Sequence, residues 1–196
     1  MTISTARPMR GQIRWWGWVA SGLLAVASGP AADVDPALLK PLDLAGYRVP
    51  TTPPDFRGDT IDGRPISLTA LRGNVVLVNF WASLCLECRP EMTLLERLHR
   101  RFAPQGLAVV GVNARERTET VSRYATEQGL TFSLVLDSDG KIAARYGVAG
   151  LPATFLVGRN GRAVGFAIGS REWNGASAHA LLKALLAEPR PGPGPE

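Results

Sequence analysis

Residues 75–91 have the sequence VVLVNFWASLCLECRPE. Val75 to Phe80 is apolar apart from Asn79, which is typical of a strand covered on both faces. The residues that follow predict a helix, because apolar side chains recur every three or four positions at Met92, Leu95, Leu98 and Phe102. Cys85 and Cys88 therefore stand where a buried strand turns into a helix.

The two cysteines carry the only specific chemistry that the sequence contains. Thiols three residues apart at the start of a helix lie close enough to close a small disulfide ring. The free N–H groups and the helix dipole stabilise a thiolate on the first cysteine. We therefore expect Cys85 to be the exposed nucleophile, Cys88 the more buried resolving thiol, and the Cys85–Cys88 disulfide to be redox-active. The chain has two cysteines in all, so no other disulfide supports the fold.

Other uses of the cysteine pair are less well supported. A zinc site needs about four ligands, and the remaining candidates are His99 and the distant His179, which we expect to be solvated on helix faces. A purely structural disulfide in so small a ring would restrict little chain entropy. We expect no metal and no cofactor, and any general base for the thiols to be a carboxylate or water.

The basic charge of the chain is concentrated at its N-terminus. Of the net charge of +5, three charges come from Arg7, Arg10 and Arg14 in an acid-free stretch, which leaves too little to indicate nucleic-acid binding. Residues 15–32 then carry no charge. This pattern predicts that residues 1–32 are a cleaved signal peptide or a retained membrane anchor, and both stay open. In either case the following domain faces the bacterial periplasm or the outer face of the cytoplasmic membrane, with inner-membrane association through 15–32 if the anchor is kept.

The remainder of the chain alternates between strands and helices. Residues 33–54 are rich in Pro and Ala and predict a linker. Residues 189–196, with the sequence PRPGPGPE, predict a disordered tail. Asp62-Gly63 predicts a turn between short strands, and Asn160-Gly161 a hairpin turn. Further strands are predicted at 75–80, 107–113, 132–136, 153–157 and 163–168, and helices at 88–102, 117–128, 139–146 and 173–187. Together they predict a mixed sheet with helices on both faces.

Several spaced motifs occur in a fixed order between Pro54 and Ala187: Pro54-Asp55-Phe56, Asp62-Gly63-Arg64, Val78-Asn79-Phe80-Trp81-Ala82-Ser83, the Cys-x-x-Cys, Glu91, Gly150-Leu151-Pro152 and Asn160-Gly161. In these the chain resembles the TlpA/ResA-like branch of the thioredoxin superfamily, a redoxin or AhpC/TSA-like branch of membrane-tethered or periplasmic thiol–disulfide oxidoreductases. The resemblance implies a thioredoxin-like domain over 55–188. Its fold would be a mixed β-sheet flanked by helices, with an added N-terminal β-hairpin and a βα insertion.

The resemblance also implies roles for single residues. Pro152 would be cis and pack against the disulfide, and the backbone of Leu151 would pair with the partner's chain. Glu91 would lie near the thiols as an acid–base group, although an ordinary first-turn acid favoured by the helix dipole is the alternative. Asn79 stands where thioredoxin has a buried aspartate and cannot relay a proton, which leaves that task to Glu91.

Two positions depart from the pattern of the family. Leu84 replaces the tryptophan that usually precedes the first cysteine, so the rim of the site is more aliphatic. Glu87 replaces a proline that many relatives have between the cysteines. Its carboxylate would disfavour a neighbouring thiolate, and we expect it to tune the site toward a reductant.

These observations predict an exported dithiol reductase of disulfides in cell-envelope proteins, by analogy in the maturation of cytochrome c or other metalloproteins. A membrane-embedded donor would supply its electrons, because the chain has no Gly-rich nucleotide motif. A peroxiredoxin-type peroxidase is one alternative, but Ala82 stands where that chemistry needs a threonine. A non-catalytic copper-binding or assembly module is another, but the methionines do not cluster with the cysteines.

Overall fold

A six-stranded mixed sheet forms the centre of the computed structural model, which describes residues 1–2 and 34–192. The strands in chain order are β1 (Ala45–Gly46), β2 (Arg57–Asp59), β3 (Pro65–Ser67), β4 (Val75–Trp81), β5 (Leu107–Ala114), β6 (Ser133–Asp137), β7 (Ala153–Val157) and β8 (Ala163–Ile168). The α-helices are α1 (Pro36–Leu39), α2 (Cys88–Phe102), α3 (Thr118–Gln128), α4 (Lys141–Arg145) and α5 (Ala176–Ala187). The sheet order is β1-β8-β7-β4-β5-β6, and β2 and β3 form a separate hairpin.

Strand β4 lies in the middle of the sheet, and all seven of its residues are buried. It pairs in parallel with β5 and antiparallel with β7. Since successive side chains of a strand point to opposite faces, Leu77 and Trp81 pack among residues of α2, α3 and α5. Val78 and Phe80 pack on the other face, with α4 and the hairpin. The prediction of a strand covered on both faces is confirmed.

The predicted fold class is confirmed by this arrangement of a mixed sheet with helices on both faces. The β2–β3 hairpin adds a layer near β6, where Thr60 bridges to Val135. Gly58 in β2 approaches so closely that a Cβ there would lie 2.6 Å from Val135 Cγ1. Strand β6 runs parallel to β5 and forms the outer edge of the sheet.

Most predicted helix ends agree with the structure, and the last helix differs. Gly129 ends α3 in the left-handed conformation with φ 62°, the predicted C-cap. The final helix was expected from Trp173, whereas α5 begins at Ala176. Trp173 lies in the preceding loop and is fully buried. Its indole packs in the hydrophobic core and donates a hydrogen bond to Glu91, contacts that a helical pattern does not reveal.

Part of the segment predicted as a linker belongs to the sheet. Residues 36–46 form α1, a 3₁₀ turn at Lys40–Leu42 and β1, which pairs with β8 through Ala45 and Phe166. Leu39, Leu42 and Leu44 are buried in the same core as α5. The leucines give this Pro-containing stretch enough apolar surface to pack, so composition alone was a poor guide to it.

Apart from residues 1–2, the predicted signal or anchor segment at 1–32, with its apolar run at 15–32, lies outside the described residues, as do residues 193–196 of the predicted tail. Within 1–2 and 34–192, none of the helices has the length and apolar character needed to cross a bilayer. The predictions for the two termini therefore stay predictions.

Candidate active site

Cys85 and Cys88 form a disulfide at the junction between β4 and α2. Strand β4 ends at Trp81, and α2 begins at Cys88 itself. Two backbone hydrogen bonds shape the turn between them, from Cys85 N–H to the Ala82 carbonyl at 3.1 Å and from Cys88 N–H to the Cys85 carbonyl at 3.2 Å. The turn holds the two Cα atoms 5.2 Å apart, within the range that a disulfide requires.

The two cysteines differ in exposure and in their surroundings. Cys88 is fully buried in the core, whereas Cys85 is partly exposed. The backbone N–H of Cys88, at the first turn of α2, donates to Cys85 Sγ at 3.2 Å. An N–H at a helix N-terminus stabilises negative charge on a sulfur that accepts from it. The geometry therefore favours Cys85 as the sulfur that carries the thiolate.

The Leu151–Pro152 peptide bond is cis, the conformation that the resemblance implied. Pro152 is buried, and its carbonyl accepts from Gly169 N–H at 2.8 Å. Leu151 is partly exposed and packs against the hydrophobic clusters on both faces of the sheet. The loop before β7 is thus fixed at its proline and open at the preceding residue.

Glu91 lies in α2 one turn beyond Cys88 and is fully buried. Its Oε2 accepts from Asn79 Nδ2 at 3.0 Å. Its Oε1 accepts from the backbone N–H of Arg171 at 2.9 Å and from Trp173 Nε1 at 2.8 Å. An ordinary first-turn acid would face solvent, whereas this carboxylate lies inside the protein with three donors.

Burial raises the pKa of the Glu91 carboxyl above its ordinary value, against the opposing effect of the hydrogen bonds from Arg171 N–H, Trp173 and Asn79. A carboxyl with a raised pKa exchanges protons closer to neutral pH than an exposed one does. Because residues three apart on a helix lie on the same face, Glu91 and Cys88 face the same buried region. The arrangement can serve proton transfer to and from the buried thiol.

The partners of Glu91 come from distant parts of the chain. Asn79 in β4 also donates to Thr154 Oγ1 at 2.9 Å, two residues after the cis proline. Sequence reasoning placed Asn79 at the site but missed Thr154, Arg171 and Trp173. One available signal was Glu91 itself, an acid on the apolar face of a predicted helix, which needs donors from elsewhere when buried.

The residues that depart from the family pattern lie on the surface. Glu87 is exposed at the N-cap of α2 and makes no capping hydrogen bond through its side chain. Leu84 and Leu86 are 83% and 79% exposed. The rim on this side of the disulfide is therefore aliphatic.

The two histidines are not simply solvated, as we had expected from the sequence. His99 is half-buried against Phe132, with ring centroids 6.1 Å apart, and His179 against Phe102 at 5.4 Å. Each helix packs that part of its surface against a neighbouring aromatic ring, which the helical pattern alone did not show. In the described part of the chain, no group of three or more His, Cys, Asp or Glu side chains is placed to hold a metal ion.

Comparison with known proteins gives consistent results. The sequence model described as the AhpC/TSA family matches residues 49–164. The thiol-disulfide oxidoreductase ResA of Geobacillus thermodenitrificans is 38% identical over 114 residues, which are 58% of this chain and 66% of that protein. ResA of Bacillus subtilis is 33% identical over 111 residues, 57% of this chain and 62% of that protein. The matched region thus spans slightly less than two thirds of these relatives.

Solved structures with a similar fold include a protein named for thiol–disulfide exchange. A thiol:disulfide interchange protein of the thioredoxin family from Chlorobium tepidum superposes with a TM-score of 0.64 and 29% identity, over 72% of this chain and 99% of that one. StoA from Bacillus subtilis superposes with a TM-score of 0.55 and 25% identity, over 67% of this chain and 96% of that one.

Proposed function

Because the chain belongs to the AhpC/TSA family, we propose that it is a thiol–disulfide oxidoreductase that reduces disulfides in other proteins. The observation that carries this proposal is the hydrogen bond from Cys88 N–H to Cys85 Sγ at 3.2 Å, in a pair of which only Cys85 is accessible. It gives one sulfur the donor that a thiolate needs and leaves the other to complete the exchange.

The reaction proceeds by two exchanges. The Cys85 thiolate attacks one sulfur of the partner's disulfide, which forms a mixed disulfide and releases the partner's other sulfur as a thiolate. The Cys88 thiolate then attacks Cys85 Sγ, which forms the Cys85–Cys88 disulfide and releases the partner's second thiolate. The partner gains two electrons and, in total, two protons, and this protein loses two electrons.

Glu91 is the group best placed to assist the second exchange. Cys88 must lose its proton before it can attack, and it is fully buried away from bulk water. Glu91 shares its helix face one turn away, and burial raises the pKa of its carboxyl toward neutral pH. In its ionised form it accepts the proton, and the hydrogen bonds from Asn79 and Trp173 stabilise that form.

The partner would be a disulfide-bearing protein of the cell envelope. This follows from the predicted export segment at 1–32 and from relatives named thiol-disulfide oxidoreductase ResA. The partner's backbone would pair with that of Leu151, which is partly exposed before the cis proline. We also propose that its clients take part in the maturation of cytochrome c or other metalloproteins. A membrane-embedded donor would return electrons to the Cys85–Cys88 pair.

The proposal is tested by the reduced protein, with insulin as a disulfide substrate. The wild-type chain should reduce insulin in the presence of a dithiol, and Cys85→Ser should abolish the reaction. Cys88→Ser should instead accumulate a mixed disulfide on Cys85, detected by mass spectrometry. Consumption of hydrogen peroxide without insulin reduction would favour the peroxidase, and tight Cu(I) binding without turnover would favour the copper module.

Glu87 is proposed to lower the reduction potential of the pair. Its carboxylate is next to the turn that holds Cys85. Within residues 34–192 it makes no capping hydrogen bond and no salt bridge, so no bonded counterpart there offsets its charge at the thiolate. Glu87→Pro should therefore make the protein a weaker reductant in equilibrium with glutathione. Asp59→Asn, which removes an exposed acid in β2, is the matched control. An unchanged potential in Glu87→Pro would show that the charge has no such role.

A further inference from the structure

A pocket of about 400 Å³ opens beside the disulfide turn. One wall is formed by Ser83 and Leu84, the two residues before Cys85. The opposite wall is formed by the loop after β5 and by α3. The pocket therefore begins within two residues of Cys85, the attacking cysteine.

The pocket is lined by four arginines, Arg89, Arg115, Arg117 and Arg123. We call it the arginine pocket. Arg89 donates through Nε to the Ser83 carbonyl at 2.9 Å, and Arg117 lies 3.4 Å from Glu119. Within residues 34–192, Arg115 and Arg123 form no salt bridge with a carboxylate. Two guanidinium groups of the pocket are therefore available to an anion.

The acids of the pocket offset only part of this charge. Glu116 is occupied by the active-site turn, since it accepts from Ser83 N–H at 2.7 Å, from Ser83 Oγ at 2.6 Å and from Asn113 Nδ2 at 2.6 Å. Glu127 is the other acid of the lining, on the exposed side of α3. Four arginines and two glutamates leave a formal charge of +2 on the lining, and the hydrogen bonds from Ser83 and Asn113 hold Glu116 at the active-site turn.

A second observation points to an acceptor from outside the protein. Tyr124 lines the pocket and is only 7% exposed, and its hydroxyl has no hydrogen-bond partner among the described residues. A buried hydroxyl without a partner has a desolvation cost, which a hydrogen bond to an incoming acceptor would offset. A phenol keeps its proton at neutral pH, and burial raises the pKa of Tyr124 further in that direction.

We infer that the arginine pocket binds an aspartate or glutamate side chain of the disulfide-bearing partner, with Tyr124 and the free arginines as its donors. The inference rests on the proposed function, since it assigns the docking of that same reaction. Ser83 and Cys85 are two residues apart, so their Cα atoms lie at most about 7 Å from each other. At about 3.3 Å per residue in an extended segment, the partner's acid would stand roughly two to four positions from its reacting cysteine.

The test uses two synthetic peptides that differ in one residue. Each carries a cysteine activated as the neutral 2-thiopyridyl disulfide, with either Glu or Gln three positions away, and the release of thiopyridone gives the second-order rate constant with the reduced protein. We expect the Glu peptide to react about tenfold faster at low salt, and the preference to fall as salt screens the charges.

Matched variants locate the effect. Arg115→Gln combined with Arg123→Gln should remove most of the preference for the Glu peptide. Arg57→Gln combined with Arg97→Gln removes the same charge from exposed positions outside the pocket lining and should keep the preference. Tyr124→Phe should reduce the preference several-fold without loss of stability, since its hydroxyl has no hydrogen-bond partner within residues 34–192.

The outcomes separate the inference from the proposed function. Equal rates for the two peptides would overturn the inference and leave the proposed function in place. A preference that survives the Arg115 and Arg123 changes, or that the control pair removes equally, would also overturn it, because the general field of the protein would then be its cause. Failure of both peptides to react would overturn the proposed function, and the inference with it.

Discussion

Two buried carboxylates on the same helix have pKa values that are shifted in opposite directions. Glu91 and Glu96 lie five positions apart in α2, and each accepts hydrogen bonds from distant residues. Burial raises the pKa of Glu91, and its hydrogen bonds do not reverse that shift. Burial also acts to raise the pKa of Glu96, but bonds from Thr131 and Arg100 outweigh it and lower the pKa overall.

The difference comes from what surrounds each carboxylate. Glu96 accepts from Arg100 Nε at 2.5 Å and from Thr131 through its N–H and its hydroxyl at 2.8 and 2.7 Å. Its partner Arg100 is 63% exposed, so this group lies at the surface. The guanidinium of Arg171 bonds Asp43 instead and acts on Glu91 only through its charge, while the backbone N–H of Arg171 makes the hydrogen bond to Glu91. The charged form of Glu96 is stabilised, and this carboxylate links α2 to Thr131. The pKa of Glu91, beside the disulfide, is raised, so this carboxyl takes up a proton more readily.

The largest expected difference between them is in stability. Glu91→Ala leaves three buried donors without an acceptor and should lower the free energy of unfolding by about 3 kcal/mol. Glu96→Ala should cost about 1–2 kcal/mol, because water can reach the donors it leaves. Urea denaturation at neutral pH measures both. Equal losses would show that the burial of Glu91 is not what separates the two groups.

The pH dependence of stability should have opposite signs at the two positions. The folded pKa of Glu91 is raised above the ordinary value of 4.5, so the folded state binds more protons than the unfolded chain in that window. Relative to Glu91→Gln, the wild type should therefore lose stability as the pH rises from 4.5 through the raised pKa.

The folded pKa of Glu96 is lowered, so its contribution is present above the ordinary value of 4.5 and lost as the pH falls through the folded pKa. Relative to Glu96→Gln, the wild type should gain stability as the pH rises through that range. Urea denaturation series between about pH 3 and pH 8 measure both differences. Slopes of the same sign would contradict the assignment of a raised pKa to one group and a lowered pKa to the other.

Trp173→Phe tests the donor that Glu91 receives from its indole partner. Trp81→Phe is the matched control, because both indoles are fully buried but Trp81 Nε1 has no hydrogen-bond partner among the described residues. Trp173→Phe should cost about 1–2 kcal/mol more than the control, since it removes a hydrogen bond to a carboxylate. It should also raise the pKa of Glu91 further, measured by NMR titration of the carboxyl carbon. An unchanged pKa would limit Trp173 to packing.

The smallest effects are expected from the two arginines. Arg171→Gln and Arg100→Gln should each lower the free energy of unfolding by about 1 kcal/mol or less, since both remove ion pairs that solvent reaches. Their effects on the carboxyls should differ. Arg100→Gln should raise the pKa of Glu96 clearly, because it removes a direct hydrogen bond, whereas Arg171→Gln keeps the backbone bond to Glu91. A larger pKa change at Glu91 would reverse this ranking.

The sequence was a good guide wherever a local pattern fixed the structure. The alternation of strands and helices, the burial of β4 and the C-cap at Gly129 follow from residues close together in the chain. The leucines of 36–46 were underestimated because proline and alanine dominated the composition of that stretch. Trp173 was assigned to a helix, although it lies in a loop and donates a hydrogen bond to Glu91, 82 positions away.

The sequence by itself determined that two thiols stand at the start of a helix behind a buried strand, because short-range spacing decides which residues share a turn. The tertiary structure alone decided the state of Glu91, whose three donors come from two distant segments of the chain, β4 and the loop before α5. It also placed Tyr124 and Arg123 of α3, with Arg115 of the loop after β5, in the lining of a pocket beside the disulfide turn. Hydrogen bonds and charges act through space, so residues far apart in the chain set the environment of a site without leaving a local pattern.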